Sequence, residues 1–283
     1  MIKQKPVAYL FITPYLLHFV FFIGFPLVFS LVLMFHRWDI ISPMVWIGLE
    51  NFNKLIQDNL FWQAMVNTGV FLVLHIPLQI AVALFLAVQL NAKIRMRGFY
   101  RAAFFLPVVL SGVVISILWD QLLARETGMI NNLMTSFGFS RIGWLTDPYL
   151  AMPSIAVMAT WKNVGLYIVL FLIGLQNVPQ QLYEAADIEG ANGWQKFWKI
   201  TLPMINPIFL MVVILSTIGG FSLFIEPYIM TGGGPLGKTL SAMLYIYKQG
   251  FFFYHMGYAA TLGFTFSMIV LVVILVQRRF VEQ

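Results

Sequence analysis

Eight consecutive residues, Gly232-Gly233-Gly234-Pro235-Leu236-Gly237-Lys238-Thr239, satisfy the spacing G-x4-G-K-T. In a phosphate-binding loop this pattern lets backbone amides cradle phosphates while the lysine and the hydroxyl serve the terminal phosphate and magnesium. Such a loop must follow a strand, open a helix and face ATP. Here the glycines follow an apolar run, and no acidic residue ends a later apolar strand to hold magnesium. They are read as a tight turn. His18, His36, His75 and His255 share no metal-ligand spacing, and His18 and His75 are expected inside a helical bundle. The chain has no cysteine, which removes disulfides, thiolate metal sites and thiol nucleophiles. No Ser/His/Asp grouping suggests another nucleophile. What remains are polar and ionisable side chains set in apolar stretches. Lys162 stands between Trp161 and Asn163, with Tyr167 one turn on. Glu226 follows Ser216, Gly219 and Gly220, and Asp120 ends another run. An ionisable group at membrane depth is a functional-site hypothesis by default. The structural alternative is that Lys162 pairs internally while Asp120 and Glu226 reach interfacial water.

The elements that must position these groups are set by composition. Of 283 residues, 60% are hydrophobic and 10% charged, against about 45–50% and 25% in soluble domains. So few charges cannot cover a soluble globule, and so much apolar material excludes disorder. The expected architecture is all-α and polytopic, with six transmembrane helices over 7–35, 64–90, 102–119, 150–176, 204–225 and 257–276. Each is near the roughly 20 residues a helix needs to cross the hydrocarbon. Pro14, Pro26 and Pro77 fall inside spans, which membrane helices tolerate when neighbours satisfy the freed carbonyls. A β-barrel would show shorter, alternating segments. Lys3 and Lys5 precede an apolar run too long for a signal peptide and without a small-x-small cleavage site, so it is read as a retained first helix.

Basic residues orient the spans. With both termini cytoplasmic, the inner segments hold Lys3, Lys5, Lys93, Arg95, Arg97, Arg101, Lys196, Lys199, Arg278 and Arg279. The outer ones hold Arg37, Lys54, Arg125, Arg141, Lys238 and Lys248. Ten against six follows the preference for cytoplasmic Lys and Arg. The net charge of +6 is thereby explained by topology, without a nucleic-acid partner.

One cytoplasmic loop, 177–203, is not a plain turn. Pro179 suits the first turn of a helix, and Gly190 suits the left-handed position that ends it. Between them, Leu182, Tyr183, Ala185, Ala186 and Ile188 are apolar, while Glu184, Asp187 and Glu189 give a negative edge. A second amphipathic stretch, Trp194–Ile200, carries Phe197 and Trp198 with Lys196 and Lys199, and is expected to stop before Pro203. Such a pair must dock onto lipid, onto its own bundle, or onto a partner.

Glu184-Ala185-Ala186, Gly190 and Ile200-Thr201-Leu202-Pro203 satisfy E-A-A-x3-G-x9-I-x-L-P, which resembles the EAA signature of ABC importer permeases. Further segments resemble the sugar-permease branch of that family: Gly48-Leu49-Glu50-Asn51-Phe52, Arg97-Gly98-Phe99-Tyr100-Arg101, Phe105-Leu106-Pro107, Trp161-Lys162-Asn163, Gly174-Leu175-Gln176 and Met230-Thr231-Gly232-Gly233-Gly234-Pro235. The likeness covers almost the whole chain, without the extra N-terminal helices and large periplasmic insertion of the larger maltose permease subunit. It implies a type I importer transmembrane domain, a single permease domain over 1–283 with its core bundle at about 60–277 and its coupling loop at 177–203. It implies that Tyr183, Glu184, Ala185, Ala186, Asp187, Gly190, Ala191, Phe197, Leu202 and Pro203 couple to an ATPase. The resemblance places a carbohydrate path along the fourth and fifth spans, with Trp161, Lys162, Asn163, Tyr167, Ser216, Gly219, Gly220 and Glu226 as candidates. Aromatic faces there would stack on sugar C–H surfaces while amides and hydroxyls bond sugar hydroxyls. The glycine pair would make room for a ligand or only for helix packing.

The implied partners are a second permease chain, two ATPase subunits and an extracytoplasmic solute-binding protein, in the plasma membrane of a prokaryote. No cofactor is expected on this chain, ATP and magnesium belonging to the ATPase subunits, and no covalent reaction is expected of it. A secondary transporter would need ion-coordinating carboxylates near the midplane and inverted repeats with broken helices; a membrane enzyme would need Asp, His or Ser clustered at one depth. The spans carry almost no mid-depth carboxylate and no such cluster.

Overall fold

A computed structural model describes residues 6–92 and 95–281. Lys3, Lys5 and Lys93, counted above for orientation, lie outside the described residues. In chain order the helices begin with α1 (Pro6–Phe19) and α2 (Phe25–Leu33), joined by a π-helical turn at Val20–Gly24. A two-stranded antiparallel hairpin follows, β1 (His36–Arg37) and β2 (Val45–Trp46). Then come α3 (Glu50–Ile56), α4 (Asn59–Asn91), α5 (Arg97–Val109), α6 (Gly112–Leu123), α7 (Met129–Ser136) and α8 (Ala151–Gln176). The loop helices are α9 (Gln180–Ile188), α10 (Gly193–Lys196), a π turn at Phe197–Thr201, and α11 (Leu202–Met204). The chain ends with α12 (Asn206–Phe221), α13 (Ile225–Met230), α14 (Ala242–Tyr247), a π turn at Lys248–Phe252 and α15 (Met256–Val281).

Among the described residues, five helical stretches are long and apolar enough to cross a bilayer: Phe11–Leu33, Asn59–Asn91, Ala151–Gln176, Asn206–Met230 and Met256–Arg279. The expected third span, 102–119, is not one straight helix. It is the pair α5 and α6, bent by 97°. The cause is local: Leu110 and Ser111 take extended backbone, with ψ of 148° and 132°, after Pro107 has removed a helical donor from the last turn of α5. The pair gives a sixth crossing if its halves form one span.

Two of the π turns share a cause. The turn Val20–Gly24 precedes Pro26, and the turn Phe197–Thr201 precedes Pro203. A proline ring in a regular helix would strike the carbonyl four residues back. One inserted residue moves that carbonyl aside, and the helix survives. The stretch from Trp194 therefore does not stop before Pro203 as expected; it runs through it into α11.

The chain separates into two compact units. The first comprises residues up to Phe61 together with Tyr245–Ile269. Its Gly48-to-Phe52 segment is structural: Gly48 has φ +58°, and buried Asn51 donates through Nδ2 to the carbonyls of Met34 (2.9 Å) and His36 (3.1 Å). Asp58 caps α4 through bonds from the Leu60 and Phe61 amides, both 3.1 Å. Its other oxygen accepts from the hydroxyls of Tyr245 (2.6 Å) and Tyr258 (2.5 Å). Burial raises the Asp58 carboxyl, but these four donors outweigh it and hold it below its ordinary value. His18, expected inside the bundle, lies on the open side of its helix, stacked on Phe22 at 5.0 Å.

The second unit comprises Trp62–Leu244 and residues from Val270 on. Its centre is α8, with 61% of its apolar window buried against 6% for Phe11–Leu33. Helix α8 packs against α5, α12 and α13. At Gly165 a side chain would collide with the carbonyl of Phe104, so α5 and α8 meet backbone to backbone there. One apolar cluster joins Ala83, Ala87 and Leu90 of α4 to Ile168, Phe171 and Leu172 of α8 and Val212 of α12. A second joins Phe71, Ile115, Ile155, Met158, Leu223 and Met230.

Candidate translocation cavity and coupling loop

Within the second unit a cavity of about 260 Å³ opens between α4, α8, α12 and the start of α13. Lys162, Asn163, Tyr167, Ser216, Gly219, Gly220 and Glu226 all line it. These seven come from two separate stretches of sequence, 162–167 and 216–226, and helix packing brings them to one space. Trp161 does not line it; its ring lies 5.6 Å from that of Trp119, and it is exposed. Asp120 lines a separate cavity of about 490 Å³ with Trp144 and Thr231.

The two glycines have different jobs. A methyl on Gly220 would run into Leu72, so this position serves close approach of α12 to α4. Nothing lies within 4 Å of a methyl on Gly219, and that position leaves open space. Lys162 Nζ stands 3.4 Å from Glu226 Oε1, with side-chain exposures of 15% and 12%. A side chain at Gly112, the first residue of α6, would begin 2.8 Å from the same ammonium. The break between α5 and α6 thus makes the space that Lys162 fills. Asn163 donates to the Ala159 carbonyl at 3.0 Å.

Seven lining residues are not among the sequence candidates: Ala159, Ser222, Leu223 and Ile225, and Phe71, His75 and Gln79 of α4. The three of α4 form a pattern. They recur every fourth residue, which puts them on one helix face, and two of them are polar inside an apolar span. That was the available signal. His75 stacks on Phe71 at 4.8 Å, and its Nδ1 lies 2.9 Å from the Thr160 hydroxyl. Gln79 is fully buried; its Oε1 accepts from Ser216 at 3.0 Å, while its Nε2 has no partner. An orphaned buried donor costs about 1–3 kcal/mol. Gln79 lies in the wall of the cavity, with that nitrogen itself enclosed.

The Gly232-to-Thr239 loop follows helix α13, not a strand. Gly232, Gly233 and Gly237 all have positive φ. The Thr239 hydroxyl lies 2.5 Å from the Gly234 carbonyl and 2.6 Å from the Thr231 hydroxyl. Asn67 of α4 donates to the Gly237 and Leu240 carbonyls at 2.7 and 3.0 Å. The glycines shape a turn clasped by α4.

The loop 177–203 folds as two short helices joined at a reverse turn. Pro179 is the cap residue before α9 rather than its first residue, with ψ +127°. Gly190 has φ +75°, the left-handed conformation that ends α9. The Ala191 amide closes this turn on the Ala186 carbonyl at 2.9 Å. Asn192 and Gln195 then form a reciprocal capping box. Lys196 pairs with Asp187 across the turn. Tyr183 bonds the Thr201 hydroxyl at 2.8 Å, and Leu202 packs against the cluster around α8. Ala186 is buried and Phe197 half-buried, whereas Glu184, Ala185 and Pro203 are exposed. Ile188 is 89% exposed and Trp194 70%. The pair is braced internally while part of its apolar surface stays outward.

Residues 79–282 match the family of binding-protein-dependent transport system inner membrane components. The chain is 36% identical over 284 residues to YurN of Bacillus subtilis, a probable ABC transporter permease protein, covering 98% of this chain and 97% of that one. It is 38% identical over 276 residues to LacF of Rhizobium radiobacter, a lactose transport system permease protein, covering 95% and 92%. The fold matches a chain of the crystal structure of a bacterial ABC transporter that imports the acidic polysaccharide alginate, with a TM-score of 0.86, 24% identity, and 99% and 96% of the two chains covered. This protein belongs to the binding-protein-dependent transport system inner membrane components: it is a multi-pass permease subunit of an ABC importer.

Proposed function

We propose that this chain is one half of the membrane pathway of an ATP-driven carbohydrate importer, and that the cavity between α4, α8 and α12 is its passage. The observation carrying this reading is the convergence of amides, hydroxyls and an orphaned amide donor on one cavity at α8, the most buried of the spans. Sugar hydroxyls need such groups, and the open position at Gly219 leaves room for a ring. The lactose permease relative supports carbohydrate as the cargo class.

On this reading the loop 177–203 faces the cytoplasm with both termini. It seats in a groove of an ATPase subunit through Tyr183, Glu184, Ala185, Ala186, Asp187, Gly190, Ala191, Phe197, Leu202 and Pro203. ATP and magnesium act on two such subunits. A second permease chain completes the pathway, and a solute-binding protein delivers the sugar. Closure of the ATPase pair moves the docked helices. The loaded binding protein shifts the membrane bundle between inward- and outward-facing states only through its differential affinity for them. The test is uptake by proteoliposomes holding the full complex. Accumulation of saccharide is expected only with ATP inside and binding protein outside; uptake that persists without the ATPase subunits would sink the proposal in favour of an ion-coupled carrier.

A further inference from the structure

We infer that this cavity admits uncharged saccharides and turns away acidic ones, and that Glu226 sets this preference by occupying Lys162. The inference rests on the cavity being the carbohydrate passage proposed above. Among the lining residues the carboxylate and ammonium groups are two, Glu226 and Lys162. They stand 3.4 Å apart and are 12% and 15% exposed, so each is the other's counter-charge. The ammonium is confined on a second side by the start of α6, where only the missing side chain of Gly112 leaves it space. His75, the other group able to become cationic, is stacked on Phe71 and engaged by Thr160. The other polar side chains of the lining are neutral: the amides of Gln79 and Asn163 and the hydroxyls of Tyr167, Ser216 and Ser222.

A carboxylated sugar would need a cation, and Lys162 is the one within reach. Drawing it away strands the partly buried Glu226 carboxylate and places a second carboxylate beside it. Removing one partner of a pair so far withdrawn from water is unfavourable, and like charges in a space poor in water add to that. An uncharged sugar disturbs neither partner.

The experiment uses the complete permease–ATPase complex in nanodiscs, without binding protein, so that selectivity reports the membrane cavity. Calorimetric titrations use lactose and arabinotriose as neutral probes, and lactobionate and digalacturonate as acidic ones. The wild type is expected to bind a neutral probe at least tenfold more tightly than its acidic counterpart. Glu226→Gln should narrow that ratio at least tenfold by freeing Lys162. The double change Lys162→Gln with Glu226→Gln should bring the preference for the neutral probe back, since no cation then remains. Equal wild-type affinity for acidic and neutral probes, or an unchanged ratio in Glu226→Gln, overturns the inference while leaving the passage intact. The wild-type comparison needs no variant to fold. If none of the four probes binds the wild type, the passage reading itself fails, and the inference with it.

Discussion

Gln79 is a buried amide with only one of its two polar atoms hydrogen-bonded. A residue kept in that state costs stability, and Gln79→Leu tests what the cost sustains. The substitution removes the orphan donor, so the melting temperature of the complex is expected to hold or rise by a few degrees. Saccharide uptake should fall about tenfold, the loss of one hydrogen bond worth about 1.4 kcal/mol. Equal uptake with unchanged stability would place Gln79 in packing alone. Asp58 makes the opposite case, since every bond near it is made. It caps α4 and anchors two tyrosines, and Asp58→Ala should lower stability by at least about 1 kcal/mol, the worth of the cap alone. Burial pushes the Tyr245 hydroxyl above its ordinary range, and the carboxylate it donates to pushes it further. For the acid the sign is fixed by its lowered value. Its stabilising contribution is complete above the unfolded aspartate range, about 3.9, and is lost as pH falls through the lower folded value. Thermal scans of wild type and Asp58→Ala should therefore differ at pH 7 and converge toward strong acid.

At the scale of elements, breaks matter as much as helices. The bend between α5 and α6 makes the space for the Lys162 ammonium, the contact at Gly165 lets α5 press onto α8, and the π turn before Pro203 lets the helix run through that proline into α11. Each break has a small residue or a proline at its centre. On the coupling proposed above, Gly190 is the break that matters, because it reverses the chain between α9 and α10 in a conformation other residues resist. Gly190→Asp strains that turn by about 1 kcal/mol and adds a charge beside Glu189. Glu184→Lys inverts the exposed edge of α9. Both variants are expected to insert normally, to lose copurification of the ATPase subunits, and to abolish uptake. Either variant retaining ATPase binding and full uptake would remove α9 from the coupling surface.

At the scale of the whole chain, burial separates the spans by role. Helix α8 is enclosed by its neighbours, whereas the Phe11–Leu33 stretch is apolar on every side with little protein over it. Hydrocarbon suits an all-apolar cylinder, and a passage needs enclosure, so the polar groups collect around α8. The ATP requirement proposed for uptake belongs at this scale, because no single residue of the chain carries it.

How much was legible in the sequence can be argued from the same residues. Lys162, Asn163, Tyr167 and Ser216 stand out on sequence because polar side chains are conspicuous in apolar runs. Phe71, His75 and Gln79 show a four-residue recurrence but no charge to draw attention. The break at Leu110–Ser111 escapes an apolarity count, because the residues on both sides of it are equally apolar and only the backbone torsions differ.

The amino-acid sequence by itself determined a helical membrane protein with about six crossings, and a distinctive loop between the fourth and fifth. Apolar length and glycine or proline position are properties of consecutive residues. Tertiary structure alone decided that Lys162 meets Glu226, that Gly220 serves packing while Gly219 opens to space, and that an α4 face completes the cavity. Those facts depend on which helices lie side by side and how each is rotated, and no stretch of neighbouring residues encodes that.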